Sequence, residues 1–244
     1  MHTPTAILFD LDDTLIAFDA VSEAAWQQVI ATHAARTTID ASAMRNAINE
    51  HSTWYWSDAE RHRIGRRSLP HTRRTLVQQA LQKIGHNDVP AAHAIADDYT
   101  ALRTALIHLL PGVEALLTDL QQRGVRMGLV TNGTTEEQRH KIERFALAAY
   151  FEFIQVEGEL GVGKPEDAAY RHALARLDLP PEEVWFVGDN LEWDVLAPQR
   201  HGMTGVWVDR KLRGHAAVTG QSAMGPRHRI EHTHQLSVLF LPTV

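Results

Sequence analysis

The chain has 244 residues, long enough to bury a sizeable core in one large domain or in a domain carrying an insertion. Acids outnumber bases 30 to 24, for a formal net charge of −6, so no general affinity for nucleic acid or an anionic membrane is expected. The absence of cysteine excludes disulfides, thiolate metal sites and cysteine nucleophiles. The first apolar run is short and interrupted by Asp10, so no secretory leader is expected, and no stretch approaches the roughly 18 apolar residues of a membrane span. A cytoplasmic protein is the expectation.

The first element is a short apolar run, Ala6-Ile-Leu-Phe, that delivers Asp10, Asp12 and then Thr14. An apolar run of this length reads as a buried strand, and open α/β sheets collect ligands at strand ends. Two acids with one spacer suit a divalent cation held by oxygen. They also suit a division of labour between nucleophile and proton shuttle. A bare Asp-x-Asp reads more readily as an acidic exit from a strand, so polar clusters further along the chain must decide between the two.

Residues 17–110 show helical patterns and no convincing strand: Val21, Ala25 and Val29 recur every four residues, as do Leu76, Ala80 and Ile84. From Pro111 the texture changes. Pro111 is expected to open a helix carrying Val113, Leu116, Leu117 and Leu120, with Gly124 closing it. A strand is expected over 125–130, then Thr134-x-x-Glu137 as a capping box. Strands over 151–156, 184–187 and 205–208 complete the pattern, with a helix beginning at Pro165 between the first two. Strands separated by helices of this length mean βαβ units and a parallel sheet. The expected architecture is therefore α/β, a parallel sheet flanked by helices over residues 1–16 and 108–244. A helical insertion over 17–107 interrupts it after the first strand, and that insertion is itself domain-sized.

Three more polar clusters fall at expected strand ends. Thr131-Asn132-Gly133 offers a hydroxyl, an amide and a flexible backbone ahead of a helix N-terminus, groups that can donate to a phosphate; alone it reads more readily as a mere turn. Gly161-Val162-Gly163-Lys164-Pro165 places one lysine between small residues, where it can pair with an anion. Gly188-Asp189-Asn190 precedes Asp194, five residues after Asp189, so a loop-to-helix turn must bring those two acids together. Four such clusters in succession describe one crevice with acids, a hydroxyl and a single cation.

In order, Asp10-Leu-Asp12-Asp13-Thr14, Thr131-Asn132, Lys164-Pro165 and Gly188-Asp189-x-x-x-x-Asp194 resemble the four motifs of the haloacid dehalogenase superfamily. The match covers the whole sheet domain. The resemblance implies a Rossmannoid fold, a helical cap inserted between motifs one and two, and Mg²⁺-assisted phosphoryl transfer to an aspartate. It implies Asp10 as nucleophile and Asp12 as general acid/base, with Thr131, Asn132 and Lys164 holding the phosphoryl group. Asp10, the Asp12 backbone carbonyl and Asp189 are implied metal ligands, with Asp194 in support. An acid at the second position favours a phosphatase over a dehalogenase. A sugar phosphomutase and a non-catalytic binding protein on the same scaffold remain alternatives. The implied substrate is a small phosphorylated metabolite, with a monomer slightly favoured.

Two positions depart from the family pattern. Pro198 stands where a helix interior is usual, so a kink or a late helix start is expected, and His201 replaces a small residue. His232 and His234 lack the paired helical spacing of zinc sites. In the insertion, Trp54-Tyr55-Trp56 precedes six arginines within residues 61–74. Arg63, Arg66 and Arg67 are expected on one helical face. This is either a solvated basic helix or a lid whose Trp54, Trp56 and Arg63 bind an anionic or ring-bearing leaving group. A similar cap occurs in the family's sugar-acid and pyrimidine-nucleotide phosphatases.

Overall fold

Ala6–Phe9 form β1, and all four residues are buried, as an apolar strand covered on both faces requires. The structure is a computed structural model, in which residues 4–37, 39–212 and 225–240 are described. The chain divides into two units, one made of Met1–Ala17 with His108–Val244 and the other of Phe18–Ile107.

The helical unit contains α1 (Asp19–Ala34), α2 (Ala41–Trp56), α3 (Ala59–Gly65), α4 (Leu69–Lys83) and α5 (Val89–Leu106). Asp40, Asp58 and Asp88 each cap a helix by accepting from the backbone N–H three residues on, satisfying a donor that has no partner within the helix. Val29, Met44, Ile48, Val77, Leu81, Ile95 and Tyr99 share one core, and Trp26 stacks on Tyr99 with ring centroids 3.8 Å apart. The expected stripe of Leu76 and Ala80 is buried, but Ile84 caps α4 and is 40 % exposed.

The second unit continues with α6 (Val113–Gln122), β2 (Arg126–Thr131), α7 (Thr135–Arg144), β3 (Phe153–Val156), α8 (Glu157–Leu160) and α9 (Asp167–Leu177). Then come β4 (Val184–Gly188), α10 (Ala197–Arg200), β5 (Thr204–Val208) and β6 (His228–Ile230). The six strands form one sheet in the order β3-β2-β1-β4-β5-β6, and every pairing is parallel. β1 lies between β2 and β4, so successive connections depart to opposite sides of it. Such a switch point opens a crevice beyond the strand ends. No helix among the described residues is long and apolar enough to cross a membrane.

Several boundaries differ from the sequence expectation. α6 starts at Val113 rather than Pro111, because Gly112 takes a left-handed φ of 77° as its cap. Helix α9 begins at Asp167, after a cis Lys164–Pro165 bond, rather than at Pro165. β3 begins two residues later than expected, and β6 is a strand that periodicity does not reveal. The late helix start at Pro198 is observed: a π-helical turn over Leu191–Leu196 precedes α10, which holds proline in its first turn. In the helical unit, α3 ends at Gly65 and Arg66–Ser68 form a 3₁₀ turn, so Arg63 and Arg66 do not continue one helical face.

Candidate active site

The ends of β1, β2 and β4, with the loop after β3, bring the polar clusters together. Asp10 comes directly after β1, and its backbone N–H donates to Val187 O at 3.0 Å, extending the β1–β4 ladder. Lys164 Nζ sits between two carboxylates, donating to Asp10 Oδ1 and to Asp194 Oδ1, both at 2.7 Å. The lysine and Asp194 side chains are 2 % and 1 % exposed. Burial works against the lysine charge, but Asp10 and Asp194 outweigh it and hold its pKa well above the ordinary value. Burial likewise raises the Asp10 carboxyl above its usual range, with Lys164 opposing and Asp194 adding to the rise. Removing such a group from water requires a matched partner, and each has one.

Thr14 ties two of the clusters together. Its hydroxyl donates to Asp10 Oδ2 at 3.2 Å and accepts from the Asp189 N–H at 3.1 Å, fully buried. The π-helical turn supplies the Asp189–Asp194 approach: Asn190 caps it by accepting from the Trp193 N–H, and Asp194 Oδ2 accepts from the Asn190 N–H. Gly188 is required by this approach. A Cβ there would lie 2.4 Å from Asp194 Cβ, Cγ and Oδ2, well inside any tolerable contact. One carboxylate oxygen from each of Asp10, Asp189 and Asp194 lies within 4.8 Å of the others. An all-carboxylate donor set of this size fits a hard divalent cation of the magnesium type.

Asn132 joins two of the clusters. Its amide nitrogen donates to Lys164 O at 2.6 Å, and its Oδ1 accepts from the Lys164 N–H at 2.8 Å. Both ends of the side chain therefore clamp the lysine loop to the end of β2 and so help to position Lys164. Thr131 is buried beside it.

Asp12 meets two residues that lie outside the four motifs. Lys141 Nζ donates to both of its carboxylate oxygens, at 2.8 and 2.9 Å, and Gln138 Nε2 donates to Oδ2 at 3.2 Å. Both come from α7 and are buried. The available signal is two polar residues, at i and i+3, beside Ile142 on the face an amphipathic helix turns inward.

In the helical unit, Trp54 is 52 % exposed, and the Arg61 guanidinium lies 4.1 Å from its ring centroid. Trp56 meets His62 edge-on at 5.1 Å. Arg63 makes a two-point pair with Glu60, Arg73 donates to Thr100 Oγ1, and Arg74 pairs with Asp97 through both nitrogens. Much of the arginine charge is thus engaged within this unit.

The haloacid dehalogenase-like hydrolase family matches residues 4–202. A phosphoserine phosphatase from Thermus thermophilus is 31 % identical over 227 residues, covering 85 % of this chain and 89 % of the relative. The pyrimidine 5′-nucleotidase YjjG of Escherichia coli is 25 % identical, covering 96 % of each. Among solved structures, the HAD-hydrolase YfnB of Bacillus subtilis, bound to magnesium, superposes with a TM-score of 0.75 at 20 % identity, covering 98 % of this chain and all of that one. The order of the four clusters, their meeting at one edge of a parallel sheet and these likenesses agree: the chain belongs to the haloacid dehalogenase-like hydrolase family and is one of its phosphatases.

Proposed function

We propose that this phosphatase hydrolyses a small phosphorylated metabolite through a phosphorylated Asp10. The observation that carries the reading is the buried Lys164 Nζ held between Asp10 and Asp194, with Asp12 two residues further along the same loop. An Asp10 carboxylate oxygen bonds to phosphorus as the ester P–O bond breaks, and Asp12 gives its proton to the departing oxygen. Water then attacks the aspartyl phosphate, Asp12 takes that water's proton, and inorganic phosphate leaves with Asp10 restored. Lys164 and the Thr131 hydroxyl hold the transferring group, since phosphoryl transfer asks chiefly for positioning and charge neutralisation. Mg²⁺ fits the donor set: Asp10, the Asp12 backbone carbonyl and Asp189 would hold it with Asp194 in support, and when bound it supplies positive charge against the phosphoryl oxygens.

The leaving group is selected elsewhere, because these clusters recognise only a phosphoryl group and its counterion. We assign that selection to the helical unit, acting as a cap through the exposed Trp54, with Trp56 and Arg63. The test of the core assignment is Asp10→Asn, assayed for phosphate release with a panel of sugar phosphates, nucleoside monophosphates and small phosphate esters. Activity should be nearly abolished with the fold retained. A rate within about tenfold of the parent, only about 1.4 kcal/mol of barrier, refutes the nucleophile.

A further inference from the structure

Helix α7 turns two buried polar side chains, Gln138 and Lys141, toward Asp12. In a helix face, buried positions are ordinarily apolar, and an ammonium loses strong hydration there unless a charge partner replaces it. Lys141 has that partner, and the pair is lopsided: the lysine side chain is 6 % exposed and the Asp12 side chain 27 %. The cation is the sunken member, and the carboxylate is the member that reaches solvent. A pair made only to anchor two elements has no need of that asymmetry, whereas a support for a reactive carboxylate does.

Gln138 adds a second constraint. Its Nε2 lies 3.2 Å from Asp12 Oδ2, 2.5 Å from Thr131 Oγ1 and 2.7 Å from Asn132 O. Those three partners can all accept, so the amide orientation is fixed by the network: the flipped carbonyl would face a carboxylate and a carbonyl. Because the Thr131 oxygen accepts from Gln138, its one hydroxyl proton is directed away from that amide. One short helix thus ties the acid/base candidate and the phosphoryl-binding hydroxyl to the same rigid face.

We infer that Lys141 and Gln138 are positioning residues for Asp12, fixing its carboxyl for proton delivery to the leaving oxygen. The inference rests on the reading of Asp12 as the general acid/base. A rigidly held proton donor is most needed where the departing oxygen is a strong base and least where it is already a stable anion. The two residues should therefore govern reactivity according to leaving group.

The test uses the full chain, with glycerol 2-phosphate as an ester of a poor leaving group and 4-nitrophenyl phosphate as an ester of a good one. The quantity read is kcat/KM, which for each ester extends only to the first irreversible step. Lys141→Met should lower it by about 100-fold on glycerol 2-phosphate and by less than about tenfold on 4-nitrophenyl phosphate. Lys141→Arg should restore most of the difference, since the guanidinium can again meet both oxygens. Gln138→Met should move in the same direction by less, and it carries the comparison if circular dichroism shows Lys141→Met unfolded. Equal losses of kcat/KM on both esters, or no rescue by arginine, overturns the inference. Asp12→Asn run beside them separates the two readings. If it too reduces both esters equally, the role of Asp12 is what fails. If it discriminates while Lys141→Met and Gln138→Met do not, the positioning role alone fails.

Discussion

Replacing Lys164 with methionine keeps most of the side chain's volume and removes its charge. The ammonium makes two charged hydrogen bonds at 2.7 Å, to Asp10 and Asp194. Hydrogen bonds to charged groups contribute about 1.5–3 kcal/mol each, which gives about 3–6 kcal/mol for the two. Breaking a buried ion pair by removing one partner costs a similar 3–5 kcal/mol or so, because the remaining carboxylates stay desolvated. For a chain of this size that corresponds to a fall in Tm of roughly 6–20 °C. Thermal and urea unfolding of Lys164→Met in chelator should show it. The sign with pH is set by Asp10, which burial pushes up to about 7 even with Lys164 opposing; without the lysine it rises further. A carboxyl whose folded pKa is raised destabilises the fold when ionised and is relieved by protonation. The gap between variant and parent should therefore be full only above the variant's own raised Asp10 value and shrink as the pH falls toward about 7, below which Asp10 is protonated in both folded proteins. Magnesium should raise the variant's Tm more than the parent's, since binding to the folded state alone adds about 2.7 kcal/mol at 100 times Kd. A variant within about 1 kcal/mol of the parent well above neutral pH in chelator would refute the account, since that is below the lowest value for a broken buried pair.

Gly188→Ala should leave the sheet folded and lower kcat by about 100-fold, the scale of an ångström misplacement near the chemistry, because its Cβ displaces the Asp194 side chain; unchanged kinetics would show that Asp194 is not needed where it stands. Asp189→Asn should raise the magnesium concentration required for half-maximal activity, read by titration against chelator; an unchanged requirement removes Asp189 from the cation site. Trp54→Ala and Arg63→Ala should impair the preferred metabolite in kcat as well as KM, while hardly affecting a small phosphate ester. Their effect on stability should be slight for Arg63, whose pair with Glu60 is solvent-exposed. Equal losses on every ester would return the arginine-rich segment to a solvated face.

The four polar clusters are legible in the sequence because each stands after an apolar run whose end the sheet must expose, so order along the chain translates directly into proximity. Lys141 and Gln138 are less so, since α7 is polar along most of its length and only their spacing beside Ile142 marks them as inward. Asn132 is conspicuous by its chemistry but not by its direction, because the loop it clamps is 32 residues away in sequence and no local pattern records that meeting. β6 escapes for another reason. It has only three residues, two of them polar, at the edge of the sheet, where backbone pairing suffices and alternation has little length to develop. The boundaries at Gly112 and Pro165 shift because backbone conformations at single residues decide them.

Thr233 Oγ1 donates to the backbone carbonyl of Thr14 in a fully buried setting. Thr14 is therefore held from three directions: by Asp10 and Asp189 at its hydroxyl, and by the distal segment at its carbonyl. That segment lies beyond residue 202, where the match to the family model ends. The loop that carries the first motif thus leans on a segment more than two hundred residues further along the chain. A change in the distal segment can therefore retune the aim of Asp10 while every motif residue stays the same.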